Sequence, residues 1–124
     1  DTINQVVEEA GKFCAEVLAP INQAGDEHGC TRHDDGSVTT PPGFKEAYQA
    51  YVESGWGTLA QPEEFGGQGL PHVLGFVLEE YTGTANQAFA MYPGLTAGAI
   101  SAILAKGSDE QKATYVPKMI SGEW

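Results

Sequence analysis

The sequence predicts an all-α fold, an up-down helical bundle of about five helices, and three observations carry that expectation. Apolar residues recur at three- and four-residue spacing in successive windows, the mark of helices that each bury one face. A helix start is written out as a capping box, Ser108-Asp109-Glu110-Gln111. No window alternates apolar and polar residues strongly enough to read as a half-buried strand, and no segment repeats. At 124 residues the chain has the length of a single domain with one sizeable core.

The first helix places Ile3, Val6, Val7, Ala10, Phe13, Cys14, Val17 and Leu18 on one face. Asp1 or Thr2 is positioned to cap it, and Pro20 is expected to end it, because the residue before a proline is pushed out of the helical region. Residues 21–42 lose the pattern to Gly25, Gly29, Gly36 and Pro41-Pro42, and read as a long loop with a short extended piece over 37–40. A loop of that length tends to be functional or to contact another part of its molecule. The second helix opens on a proline, turns Phe44, Ala47, Tyr48, Tyr51 and Val52 inward, and closes at Gly55. Residues 56–71 form a turn-rich connection. The third helix opens at Pro71 and runs to about Gln87 on the stripe Val73, Leu74, Val77, Leu78 and Tyr81. Residues 93–106 are small or apolar nearly all round, so they predict a helix buried on most sides, whose small residues admit another backbone or a ligand. In the last helix Asp109 and Glu110 suit the positive helix start, Ala113, Val116, Met119 and Ile120 form the stripe, and Gly122 ends it.

Composition excludes more than it assigns. A formal charge of −11, with only six basic residues scattered from Lys12 to Lys118, argues against nucleic acid as a partner, since binding a polyanion relies on clustered cations. The apolar stretches 73–92 and 95–104 are interrupted by Glu79, Glu80, Asn86 and Gln87 or are too short, so no membrane span is expected. Residues 1–4 lack the basic start of a signal peptide. Cys14 falls on an apolar face and Cys30 in a polar loop; both are expected to be reduced, in a cytoplasmic protein.

Four groups invite a chemical reading. Residues 27–35 hold Glu27, His28, Cys30, His33 and Asp34, but at none of the spacings zinc sites use and with Arg32 among them, so a solvated loop is expected and no metal ligand is assigned. Gly66-Gly67-Gln68-Gly69 lacks the Lys-Ser/Thr of a phosphate loop and a preceding strand, and reads as a glycine turn. The adjacent pairs Glu63-Glu64 and Glu79-Glu80 point in different directions on a helix and form no acid–base dyad. Phe89, Met91 and Tyr92 fit either core packing or the wall of a pocket, because the glycines that follow leave room beside them. No catalytic residue is assigned.

The order of several segments carries a resemblance. Residues 81–86, Tyr92-Pro93-Gly94-Leu95 with Gly98, Gly107-Ser108-Asp109-Glu110-Gln111-Lys112, Tyr115-Val116-Pro117 and Ser121-Gly122-Glu123 resemble the N-terminal helical domain of the flavin-dependent acyl-CoA dehydrogenases. Residues 62–69 look like that family's proline-acid-glycine connector, and the resemblance spans essentially the whole chain. Residues 20–30 and 40–44 look most like the longer bacterial members, which include enzymes acting on 3-methylmercaptopropionyl-CoA.

The resemblance implies that residues 1–124 are one N-terminal domain, a fragment inactive alone, with the β-domain and the C-terminal bundle outside it. It implies FAD as the cofactor of the parent and an acyl-CoA as its substrate. The electron acceptor would be electron-transfer flavoprotein or another carrier, and the parent a homo-oligomer, while the catalytic base would lie in the C-terminal bundle. Onto this chain it carries only a substrate-side role, in which Met91, Tyr92, Gly94, Leu95 and Gly98 wall the acyl pocket. A flavin oxidase of the same fold and a stand-alone helical interaction module are the competing readings. Isolated from such partners, the chain is expected to self-associate through its exposed apolar faces.

Overall fold

A computed structural model describes residues 2–124. Helix α1, Thr2–Phe13, runs without a break into a wide turn, Cys14–Leu18, and then a tight one, Ala19–Ile21, before α2, Asn22–His28. A two-stranded antiparallel ribbon follows, β1 (Thr31–Arg32) against β2 (Val38–Thr39). Helix α3 is Phe44–Glu53, and two single 3₁₀ turns at Trp56–Thr58 and Glu63–Phe65 lead to α4, His72–Ala85. Helices α5, Gln87–Lys106, and α6, Asp109–Ile120, complete the bundle. The five expected helices correspond to α1, α3, α4, α5 and α6. The cap expected from Asp1 lies outside the described residues.

Three expectations are corrected. Pro20 does not end the helical path: it occupies the first turn of the tight segment, where a missing N–H leaves no intrahelical bond unmade, so the chain stays helical through it. The loop expected over residues 21–42 therefore begins with α2, whose seven residues, NQAGDEH, carry no apolar stripe that could have announced it. The short extended piece expected over 37–40 is β2, whereas its partner β1 escapes periodicity, because a two-residue strand exposed on both faces has no pattern to show. The turn of the ribbon is held locally instead, by His33 Nε2 with Thr39 Oγ1 at 2.7 Å and by Asp35 Oδ1, which accepts from the Ser37 amide and hydroxyl.

The third correction is the largest. The helix expected from Pro93 starts six residues earlier, so Pro93 sits inside α5. Nor is α5 buried on most sides: Leu95 is 72% and Met91 54% exposed. Because residues 87–105 carry no charge, α5 is also long and apolar enough to cross a membrane by length and composition alone, which splitting the segment at Pro93 concealed. A single such helix is weak evidence of a span, and here it packs against α4, α6 and α2.

Two clusters make the core. The larger joins Ala10, Cys14 and Leu18 to Phe44, Ala47 and Tyr51, with Leu59, Leu78 and Phe89. The smaller joins Ile100 to Val116 and Ile120, flanked by Phe65, Leu104 and Met119. Helix α5 is the member common to both, through Phe89 at one end and Ile100 at the other, and burial of each side chain contributes roughly 2–3 kcal/mol. The exit turn after α6 is equally constrained. Gly122 has a φ of +79°, a Cβ there would run into Val52, and its carbonyl accepts from Tyr48 Oη at 3.2 Å.

The capping box is present as written in the sequence, with Ser108 Oγ accepting from the Gln111 amide at 3.2 Å and Gln111 Oε1 accepting from the Ser108 amide at 2.9 Å. Ser108→Ala is expected to lower stability by about 1 kcal/mol in urea unfolding of this chain. Burial pushes the Cys14 thiol up to about 11, so folding favours its protonated form. The unfolded chain then releases that proton first as pH rises, and stability should fall between an unfolded value of about 8.5 and about 11. Cys14→Ala should flatten that part of the stability–pH curve relative to the unsubstituted chain.

Candidate functional site

One residue joins α4 to α5. Asn86 is extended, with φ −162° and ψ 91°, and it is 1% exposed. Its amide donates to Thr82 O at 2.8 Å, closing α4, and its carbonyl accepts from the Ala90 amide at 3.0 Å, opening α5. Its side chain does the rest: Oδ1 accepts from the Phe89 amide at 3.0 Å as the α5 N-cap, while Nδ2 donates to Leu18 O at 3.2 Å. At the tight turn the Asn22 amide donates to Ala19 O, and the Leu18 carbonyl, which caps that turn, accepts from the Asn86 side chain.

From that pivot α5 runs with two different sides. Phe89 is buried against Tyr51 and Phe44, at 5.9 and 6.3 Å between ring centroids. Tyr92 stands edge-on to Phe44 and Phe89, at 6.3 and 6.2 Å, and its hydroxyl lies 4.0 Å from Cys30 Sγ. Partial burial first, and the neighbouring thiol second, hold the Tyr92 hydroxyl above its ordinary pKa. Met91, Leu95 and Gly98 share the outer side by their four- and three-residue spacing. A Cβ built on Gly94 or on Gly98 meets nothing within 4 Å, so that side is open as well as apolar. The hydroxyls in this stretch bend back to their own helix, Thr96 Oγ1 to Tyr92 O and Ser101 Oγ to Ala97 O.

The inner side of α5 borders an open groove of about 780 Å³ shared with α3, α4 and α6. Gly94 and Gly98 form part of its rim, whereas Met91, Tyr92 and Leu95 do not line it. Trp56 contributes to one wall, and its Nε1–H is buried without an acceptor, its ring held 5.9 Å from Phe13. Of the five residues assigned by sequence, the structure thus gathers Met91, Gly94, Leu95 and Gly98 on one accessible strip and turns Tyr92 into the aromatic cluster. Phe44 and Cys30, which flank Tyr92, were not legible in advance, since each is more than forty positions away from it. Asn86 carried a signal, as Asn is a favoured cap, but the helix expected to run on to Gln87 hid it.

The remaining polar groups are used structurally. The amides of Gly66, Gly67, Gln68 and Gly69 donate to the carbonyls of Glu63, Pro62, Thr58 and Gln61, which leaves none free to cradle a phosphate. A Cβ at Gly67 would strike the Gln61 backbone, so the glycine serves a close crossing of the chain. His28, Cys30 and His33 are all exposed around the ribbon, and among the described residues no three His, Cys, Asp or Glu side chains are placed to hold a metal. Cys14 is buried and Cys30 exposed, neither in a disulfide. A thiol reagent such as DTNB at pH 8 should therefore modify one equivalent, at Cys30, and reach Cys14 only on addition of denaturant. Two equivalents in the native chain would show that the first core cluster is open.

Comparison with known proteins follows the same lines. The family described as "Acyl-CoA dehydrogenase, N-terminal domain" matches residues 1–123. The chain is 44% identical over 124 residues to 3-methylmercaptopropionyl-CoA dehydrogenase of Ruegeria pomeroyi, covering 100% of this chain and 21% of that protein. It is 35% identical over 126 residues to a butyryl-CoA dehydrogenase of Syntrophomonas wolfei, covering 100% of this chain and 20% of the relative. Against mitochondrial isovaleryl-CoA dehydrogenase of Oryza sativa the identity is 29% over 124 residues, with 99% and 28% covered. The chain thus spans about a fifth of the length of the first two relatives.

Proposed function

We propose that this chain, which belongs to the acyl-CoA dehydrogenase family as its N-terminal domain, serves an enzyme that oxidises the Cα–Cβ bond of an acyl-CoA thioester, with the outer side of α5 as a wall of the acyl pocket. The observation that carries the wall is the open strip itself. Met91, Gly94, Leu95 and Gly98 offer an apolar surface with free space above both glycines and no charged group. An acyl tail has no polar atoms to recognise. It is held by removing its methylenes from water, about 0.8 kcal/mol each, and is measured by where the surface stops it. Such a wall needs no acid, base or nucleophile, which agrees with a strip whose hydroxyls are bonded back to the helix.

The relatives are named for acting on acyl-CoA thioesters, and this supports an acyl-CoA as the substrate. FAD is the cofactor this reading implies, and it would take up the hydride. The committed amides of residues 66–69 do not fit its phosphates, so no step of flavin chemistry is assigned to this chain. Electron-transfer flavoprotein or another carrier as acceptor, and a homo-oligomeric enzyme, belong to the same reading.

The test uses the full-length enzyme, purified with its flavin and mixed anaerobically with acyl-CoAs of increasing chain length. Bleaching of the flavin is expected with at least one of them, and its complete absence would refute the dehydrogenase. Gly98→Leu should then depress kcat/KM for the longest accepted chain by about tenfold or more relative to the shortest, because it fills the space above the strip. An unchanged chain-length profile would remove the wall assignment and leave the family assignment standing.

A further inference from the structure

The acyl wall, if the preceding reading holds, is only as well defined as the rotation of α5 about its own axis. Helix α5 meets α4 through a single residue, and that residue is tied to a third element. Asn86 holds four hydrogen bonds at 1% exposure: to Thr82 in α4, to Ala90 and Phe89 in α5, and to Leu18 at the end of the wide turn after α1. The bond to Leu18 links positions 68 residues apart in sequence. The first three bonds fix the local path of the chain and would be supplied by any good capping residue. The fourth is different in kind, since it fixes the start of α5 to the opposite side of the first core cluster.

We propose that Asn86 is a positioning residue for acyl-chain specificity, acting through its Nδ2–Leu18 O bond to set the rotation at which α5 presents Met91, Gly94, Leu95 and Gly98. Met91 lies five residues beyond this pivot, within the first two turns. With side chains a helix has a radius of roughly 5–6 Å, so a roll of about 20° moves a side-chain tip by roughly 2 Å, more than the length of a carbon–carbon bond in the tail being measured. Wide helical turns interrupt regular ladders and often mark functional sites, and this one ends at the carbonyl that Asn86 takes. Leu18 and Phe89, the residues bonded to the two ends of the carboxamide, are both 0% exposed, so neither end can turn to water as a substitute partner.

The role rests on the wall reading, and the experiment separates the two. In the full-length enzyme, Asn86→Ser keeps a capping oxygen for Phe89 but cannot reach Leu18. The ratio of kcat/KM for a long acyl-CoA to that for a short one is measured for this variant, for Gly98→Leu and for Val116→Ala. The last loosens the second core cluster, away from the pivot, as a control for lost stability. The expected result is a change of about fivefold or more in the ratio for Asn86→Ser and Gly98→Leu, with Val116→Ala unchanged. A shift in Gly98→Leu with none in Asn86→Ser would overturn the positioning role and leave the wall intact. No shift in Gly98→Leu would overturn the wall and this role with it. An equal shift in Val116→Ala would show that general loosening suffices, and would also overturn the role. Should Asn86→Ser fail to accumulate as folded protein, Asn86→Thr, which keeps a capping oxygen and more of the volume but lacks the amide that reaches Leu18, is read against the same outcomes.

Discussion

A buried carboxamide ties together three parts of this domain, the end of the wide turn after α1, the close of α4 and the start of α5. Asn86 closes one helix, opens the next and reaches across to Leu18, and each of these bonds is made where water cannot substitute. An unpaired buried donor or acceptor costs roughly 1–3 kcal/mol, so the arrangement is close to all-or-none. Leu18, whose carbonyl Asn86 takes, is the last residue of the wide turn and the cap of the tight one that holds Pro20.

Helix α5 is the second constraint, and it follows from the first. It alone has side chains in both core clusters, Phe89 in the larger and Ile100 in the smaller, so its inner side is committed along much of its length. That leaves an outer side rich in Gly and Ala, with Met91 and Leu95 standing in the open. In the bundle this helix, whose uncharged composition gives it the length and polarity of a membrane helix, packs against α4, α6 and α2 and still leaves Met91 and Leu95 exposed. Small residues on that outer side add nothing to the core; what they provide is space.

The aromatic cluster ties these two features to the rest of the chain. Phe44, Tyr51, Phe89 and Tyr92 meet at mostly tilted or edge-on angles, which suits the ring quadrupoles and fills the volume between α3 and α5. Through Cys30, the same cluster reaches the exposed ribbon. The segment most polar in sequence is in this way anchored beside the most apolar helix.

Helix positions with a strong apolar period were legible from sequence, as were the capping box at Ser108, the glycine exit at Gly122 and the family resemblance, because each is written in residues close together along the chain. Four of the five residues assigned around Pro93 do share one exposed strip, a grouping that their spacing along the helix already held. What the sequence alone determined, then, was local: which segments coil, where α6 begins, and that the chain is all-α. Tertiary structure decided the rest. It extended α5 back to Gln87, carried the chain through Pro20, set the part-exposed Tyr92 beside Phe44 and Phe89 while leaving Leu95 out, and exposed a helix whose composition argued for burial. The physical reason is that these outcomes depend on contacts between residues tens of positions apart, such as Asn86 with Leu18, and spacing along a chain holds no record of which distant carbonyl a buried side chain will meet.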